Sequence, residues 1–424
     1  IQYTLGTLPT DPTQCSGACS NSSVMTLISS EDYTGSVLLS GLTASTVYNY
    51  HVVFCDDVNC STNPVIQLSS AHIFTSPPSN STEVNINICT ASCFDISGMP
   101  FRYISNITNL NCKLFLMSGD NIYTDRPWDI AQGLTISDYW MRHRDSLFDP
   151  YYSAVYGDIY TCLTHDDHEW IDDGNATSGH MEGYNHNQMA DQFYKSALSG
   201  MNNYVANLNP SPLVANKYYY KGRYGKVGIV SLDLIFERDN LFDTATSVEA
   251  TPTCWSTDAT TTIICSGDHT SGLSSTRSMI IFENRAYPIT SGSYSDPNTN
   301  LTVASGTVSC ITCTSQTTKL WKSGKQMLSR EQIVATMNAL RDMDSSVDGL
   351  ILVTSKPLVN IRLVNMDAWA EGGYTNQRNL MMTFCKDNLT NNCLFISGDV
   401  HKFNIFKHTF IDSNGQWELM AGNG

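Results

Sequence analysis

Positive charge is scarce in this chain. Its 424 residues carry 24 Lys and Arg against 40 Asp and Glu, a formal net charge of −16. So acidic a chain repels nucleic acid and anionic membrane at long range, which argues against either as a partner. Charged residues of both signs make up only 15%, low for a soluble intracellular protein. Long apolar runs are missing as well; none reaches the roughly 18 residues that a membrane-crossing helix needs. The opening stretch IQYTLGTLPTDPTQ lacks a basic n-region and an apolar h-region, and reads as a mature N-terminus left after signal removal.

Cysteine, by contrast, is abundant, and it lies in short-range pairs: Cys15 with Cys19, Cys55 with Cys60, Cys254 with Cys265, Cys310 with Cys313, and Cys385 with Cys393. These pairs sit in Ser/Thr-rich stretches without the His spacing of a zinc knuckle, so disulfides in an oxidising compartment fit better. Cys89, Cys93, Cys112 and Cys162 remain. Cys93 could bridge to Cys89 or Cys112; if it is free, the odd count of thirteen requires one more unpaired thiol. Seven N-x-S/T sequons begin at Asn21, Asn59, Asn80, Asn106, Asn175, Asn300 and Asn388. Together with the cysteines they point to a secreted, extracellular eukaryotic protein carrying N-linked glycans.

Residues 1–79 are expected to form an N-terminal β-sandwich. Alternation marks Ser36–Ser40 and Val47–Phe54, and Leu42–Tyr50 is similar to the tyrosine corner of a fibronectin type III-like fold, with Tyr48 at the corner. The stretch from Ser76 to Thr82 reads as a linker. From residue 80 to 424 apolar runs alternate with amphipathic stretches, the pattern of an α/β domain. A capping box from Ser329 to Gln332 opens a helix whose face carries Ile333, Met337 and Leu340. Residues 242–324 are expected to be a Ser/Thr- and Cys-rich insertion pinned by disulfides: a solvated surface loop in the plainer reading, a lid or assembly surface in the functional one.

Five apolar runs end in residues able to hold a metal: near Cys93, at Asp120 and Tyr123, at His165-Asp166-Asp167-His168-Glu169, at Asp233, and at Asp399-Val400-His401. The carboxyl ends of strands line the ligand crevice of an α/β sheet. Three acids within five residues after an apolar run repel one another unless a cation sits there. Phosphate ester hydrolysis needs a nucleophile near neutral pH and positive charge on the phosphoryl oxygens; two metal ions about 3.5–4 Å apart supply both. Asp120 is the candidate bridging carboxylate. A thiolate or phenolate ligand favours an iron-type ion over magnesium.

In order and spacing, Ala91-Ser-Cys93, Gly119-Asp120-Asn-Ile-Tyr123, Asp166-Asp167-His168-Glu169, Leu232-Asp233, Met327–Gln332, Asp367-Ala-Trp369 with Arg378, and Ser397-Gly398-Asp399-Val400-His401 resemble the PhoD-like alkaline phosphatases, within the calcineurin-like metallophosphoesterases. The resemblance runs from about residue 84 to 424. It implies an αββα sandwich with metals at one end. Cys93, Asp120, Tyr123 and His401 would hold an iron-type ion. Asp120 would bridge to a calcium-type ion that also takes Asp399, Asp166, Asp167 and Asp173, with zinc or magnesium as the other metal candidates. His168 would stand near the scissile phosphate. The family hydrolyses phosphate mono- and diesters, best at alkaline pH. The chain departs from it after Asp233, where the usual Thr-Arg is Leu234-Ile235 and Arg238 is the nearest substitute, and at Asp173, where Asn is usual.

Two functions follow as expectations. One is a secreted metal-dependent phosphoesterase. The other is a structural glycoprotein of a surface coat or filament, self-assembling on a retained phosphatase fold; the sequons, the insertion and the lost Thr-Arg motivate it. A calcium-binding adhesion module fits less well, because the acidic cluster lacks Asp-x-Asp-x-Asp-Gly spacing.

Overall fold

The computed structural model describes residues 1–5, 8, 19–55, 65–66, 72–124, 135–170, 189–236, 248–256, 261–271, 273–275, 277–304, 316–323, 326–359, 369, 374–400, 404–408 and 416–421. Two sheets form the centre of the larger part. In the first, Asn87–Ala91, Cys112–Ser118 and Tyr160–Thr164 run parallel, with Cys112–Ser118 in the middle. The second has six strands: Tyr220–Tyr224, Val227–Ser231, Gly349–Val353, Cys393–Ser397, Gln416–Met420 and Asn404–His408, in that spatial order. Its middle four strands are parallel and both edge strands antiparallel.

The central segments Leu114–Met117 and Leu350–Val353 are apolar without interruption because each is covered on both faces. Leu114 and Leu116 meet Ile229, Ile351, Val353 and Ile396 between the sheets. The alternate residues, Phe115 and Met117, pack outward with Tyr152, Val155 and Met201, from the helices Pro150–Asp158 and Met189–Tyr204. On the opposite side, Leu350, Leu352 and Phe395 pack against Ile333, Met337, Leu340, Met381 and Phe384, from the helices Arg330–Asp344 and Thr375–Asn388. Period-two alternation thus divides each strand between two apolar layers, and the result is helix, sheet, sheet, helix.

The expected capping box is half formed. Ser329 Oγ accepts from the Gln332 amide at 3.2 Å. The Gln332 side chain turns inward instead, accepting from Asp233 N–H and donating to Asp233 C=O, both at 2.8 Å.

The insertion is more than a solvated loop. Its described residues form an eight-stranded antiparallel sheet between Val248 and Ser323, with a core of its own that includes Ile263, Ile280, Phe282, Leu301 and Leu320. The polar composition hid these strands because only alternate residues face that core, as in Asn298–Val303. Cys254 and Cys265 are bonded across paired strands. The sheet docks on the Arg330–Asp344 helix, where Asn338 exchanges two 3.0 Å hydrogen bonds with the Ala286 backbone.

At the N-terminus, Ser20–Asn21, Gln2–Thr4, Val47–His51 and His72–Thr75 make an antiparallel four-stranded sheet. Tyr48 is buried, and its hydroxyl accepts from the Thr43 amide at 2.8 Å, the back-bond of a tyrosine corner. The expected linker begins on a fixed residue: Ser76 Oγ accepts from Thr46 N and donates to Thr43 C=O.

His143, on the helix Ile136–Phe148, is buried against the ring of Tyr204. Burial pushes its imidazole pKa down to about 3, so the folded protein holds it neutral while the unfolded chain takes a proton near pH 6.5. Stability contributed by this group is present above that value and is lost as pH falls towards 3. From pH 7 to pH 5 the loss is about 2 kcal/mol. Urea unfolding at the two pH values should show this difference, and the His143→Phe variant should lack it.

Candidate metal centre

The carboxyl ends of strands from both sheets meet at one edge. There the chain turns sharply. Cys93, Asp120 and Asp399 all have positive φ, 66°, 55° and 71°, a conformation that non-glycine residues seldom hold and that collects at functional sites. Two glycines make the approach feasible. A Cβ on Gly119, itself at φ 101°, would lie 2.7 Å from the Asp166 Cβ, and one on Gly398 would lie 2.1 Å from the Ser118 carbonyl oxygen.

The edge brings together most of the predicted ligands. Cys93 Sγ and Tyr123 Oη each stand 3.3 Å from Asp120 Oδ2. Oxygen, nitrogen or sulfur donors about 2.0–2.3 Å from a shared ion stand roughly 3 Å or more from one another, so this trio fits a metal. Carboxylate and imidazole atoms within 4.8 Å of one another form two overlapping groups, Asp120 with Asp167 and His168, and Asp120 with Asp166, Asp167 and Asp399. Asp120 belongs to both, as a bridging ligand would. His168 is half-buried and stacks on the Tyr123 ring, with centroids 4.0 Å apart.

Electrostatics give the same answer. Burial pushes the Asp120 carboxyl well up, with Asp167 and Glu169 adding to the rise and His168 and Lys356 opposing it. Burial also raises Asp166, and it raises the Cys93 thiol, which faces Asp120 as well. Asp120 Oδ1 and Asp166 Oδ1 are buried without hydrogen-bond partners. Acids that cannot all ionise together, with oxygens left bare, suit a cation.

Three predicted residues, Asp173, Arg238 and His401, lie outside the described residues. Asp233 and His165 turn away from the cluster: His165 Nε2 lies 3.1 Å from Asp233 Oδ1, which also accepts from the amides of Ile235 and Phe236. Arg378 is likewise elsewhere, donating to the Leu358 carbonyl. Cys93 is a free thiol because Cys89 bridges to Cys112, and Cys162 is also free and buried. The expected Cys385–Cys393 disulfide is instead a pair of buried thiols in hydrogen-bond contact.

Sequence reasoning missed two elements. By sequence Glu169 belongs with the repelling acids, yet it is the support of the site. It accepts from the Asn121 amide, from Asn121 Nδ2 at 2.6 Å and from the Asp166 amide at 2.8 Å. Burial lifts its pKa to about 7 despite those donors. Lys356 belongs to none of the sequence motifs. Its fully buried ammonium donates to Asp167 Oδ1 at 2.9 Å and lies 3.0 Å from Asp166 Oδ2 and 3.4 Å from Asp399 Oδ1. Only a buried lysine beyond an apolar run, in Leu350–Lys356, could have signalled it.

The model of the PhoD-like phosphatases matches residues 88–423. The chain belongs to that family. Among solved structures, PhoD superposes with a TM-score of 0.64 at 15% identity, covering 100% of this chain and 69% of that one; at that identity the likeness speaks for the fold. A dimetal phosphatase from Danio rerio covers 77% of each chain at 10% identity, with a TM-score of 0.37, too loose for argument. No curated protein sequence matches the chain. As a PhoD-like phosphatase, the protein has a phosphoesterase's α/β fold with mixed sheets, and its acidic cluster lies where the strands of both sheets end.

Proposed function

We propose that this PhoD-like phosphatase is a secreted, metal-dependent hydrolase of phosphate mono- or diesters. The observation that carries the reading is the convergence of Cys93, Asp120, Tyr123, Asp167 and His168 on one buried edge. Thiol, phenol and carboxylate donors suit an iron-type ion. When bound, the metal supplies positive charge at the phosphoryl oxygens and lowers the pKa of water. The chain's own contribution is placement. Cys93, Asp120 and Tyr123 set the position of the charge, with His401 as a further ligand by family pattern. His168, half-buried beside them, is the group to protonate the leaving oxygen. Arg238 is the nearest substitute for the family's missing phosphate-facing arginine, and Asp173 takes the metal-facing place where Asn is usual.

Secretion is supported by the bridges Cys89–Cys112 and Cys254–Cys265 and by exposed sequon asparagines at 21, 80 and 106. A fibronectin-like N-terminal module is supported by the Tyr48 corner. The test is turnover of p-nitrophenyl phosphate and its bis-ester by iron- and calcium-loaded protein at alkaline pH. A folded, metal-loaded sample inert on both esters sinks the reading. A second reading, a structural glycoprotein on a weakened phosphatase fold, is favoured by one observation, the lysine set among the acids. That inert sample, if polymeric, would support it.

A further inference from the structure

We propose that Lys356 is a resident cation taking the place of the second metal ion, so that the centre holds one metal rather than two. The inference rests on the metal-centred reading above and concerns how many ions the acids accept.

The ammonium occupies the middle of the group that would hold the second ion. It lies 2.9 Å from Asp167, 3.0 Å from Asp166 and 3.4 Å from Asp399, and its side chain has no solvent exposure. A calcium-type ion needs those same oxygens at about 2.3–2.6 Å. With the ammonium present, such an ion would meet a like charge in van der Waals contact inside a desolvated site, where repulsion is poorly screened. The backbone that carries the lysine is held in place. It follows the buried strand Gly349–Val353, Thr354 N–H is bonded to the Ile396 carbonyl at 2.7 Å, Thr354 Oγ1 donates to the Lys356 carbonyl at 2.5 Å, and Gly398 N–H is bonded to the Ser355 carbonyl at 3.0 Å.

Charge agrees with occupancy. Asp120, Asp166, Asp167 and Asp399 form the cluster. The ammonium offsets one of their four negative charges and sits among three of them, Asp166, Asp167 and Asp399, the oxygens a second ion would need. Cys93 Sγ and Tyr123 Oη contact Asp120 Oδ2, whereas the ammonium is held by Asp166, Asp167 and Asp399. The one remaining metal position is therefore the one carrying thiol and phenol.

The experiment counts ions. Full-length protein stripped with chelator is titrated at equilibrium with Mn2+, the free ion being followed by electron paramagnetic resonance, and Mn2+-soaked crystals locate the bound ions by anomalous scattering. The expected result is one ion at the centre of the wild-type protein, touching Asp120, and two in Lys356→Met, the second among Asp166, Asp167 and Asp399 with a spin-coupled pair signal. Two central ions in the wild type, or none, would overturn the proposal, as would a single ion in a folded Lys356→Met. Should that variant fail to fold, the wild-type count and anomalous peaks decide alone. Ester turnover is read separately: one ion without turnover upholds the lysine's role and removes hydrolysis, while turnover with two ions does the reverse.

Discussion

Asp120→Asn is expected to lose at least about a thousandfold in ester hydrolysis, equivalent to about 4 kcal/mol of transition-state stabilisation. The substitution is isosteric and leaves the turn at φ 55° in place. It removes the one carboxylate shared by both groups of candidate ligands, within 3.3 Å of both Cys93 Sγ and Tyr123 Oη. Metal retention should fall with activity. The same change should stabilise the metal-free protein by about 1–3 kcal/mol, because folding then no longer has to bury or protonate an acid that faces Asp167 and Glu169. Opposite movements, activity down and metal-free melting temperature up, separate loss of a ligand from general damage. A variant retaining more than a tenth of the activity would mean that Asp120 holds no essential metal.

Glu169→Ala is expected to cost about 3–6 kcal/mol of folding stability, because each buried donor left without an acceptor costs about 1–3 kcal/mol. Three donors lose their partner at once: the amides of Asn121 and Asp166, and Asn121 Nδ2, of which Nδ2 keeps its 2.8 Å bond to the Thr164 carbonyl. On a fold of ordinary stability, about 5–15 kcal/mol, that is a large fraction. Glu169→Gln should lie between, since its amide keeps one acceptor oxygen and turns a donor towards the other N–H. Urea unfolding checks the series. A loss below about 1 kcal/mol for the alanine variant would show that water replaces the carboxylate without cost. Activity should fall alongside stability, because Asn121 and Asp166 are the neighbours that fix Asp120 and Asp167.

Structure is legible in the sequence where one residue type carries one physical demand. Uninterrupted apolar runs such as Leu114–Met117 signalled strands covered on both faces, and the acids at their ends signalled a cation. Counting left the state of Cys93 open, and the Cys89–Cys112 bridge decides it. Reading failed where a residue's role depended on a partner distant in the chain. Asp233 ends an apolar strand as a ligand would, yet it is matched by His165, 68 positions earlier. The insertion's strands were obscured because exposed Ser and Thr alternate with the residues that build its core.

The amino-acid sequence by itself determined the layered α/β plan, the apolar stripes, the sharp turns that need Gly119 and Gly398, and the donor types available to a metal. Those depend on local periodicity, backbone sterics and side-chain chemistry. Only the tertiary structure decided which acids share a space, that Glu169 supports rather than ligates, and that an ammonium from Lys356 stands among Asp166, Asp167 and Asp399. Charge in a buried site is balanced over a few ångströms in three dimensions, and residues 189 positions apart in sequence are adjacent on that scale.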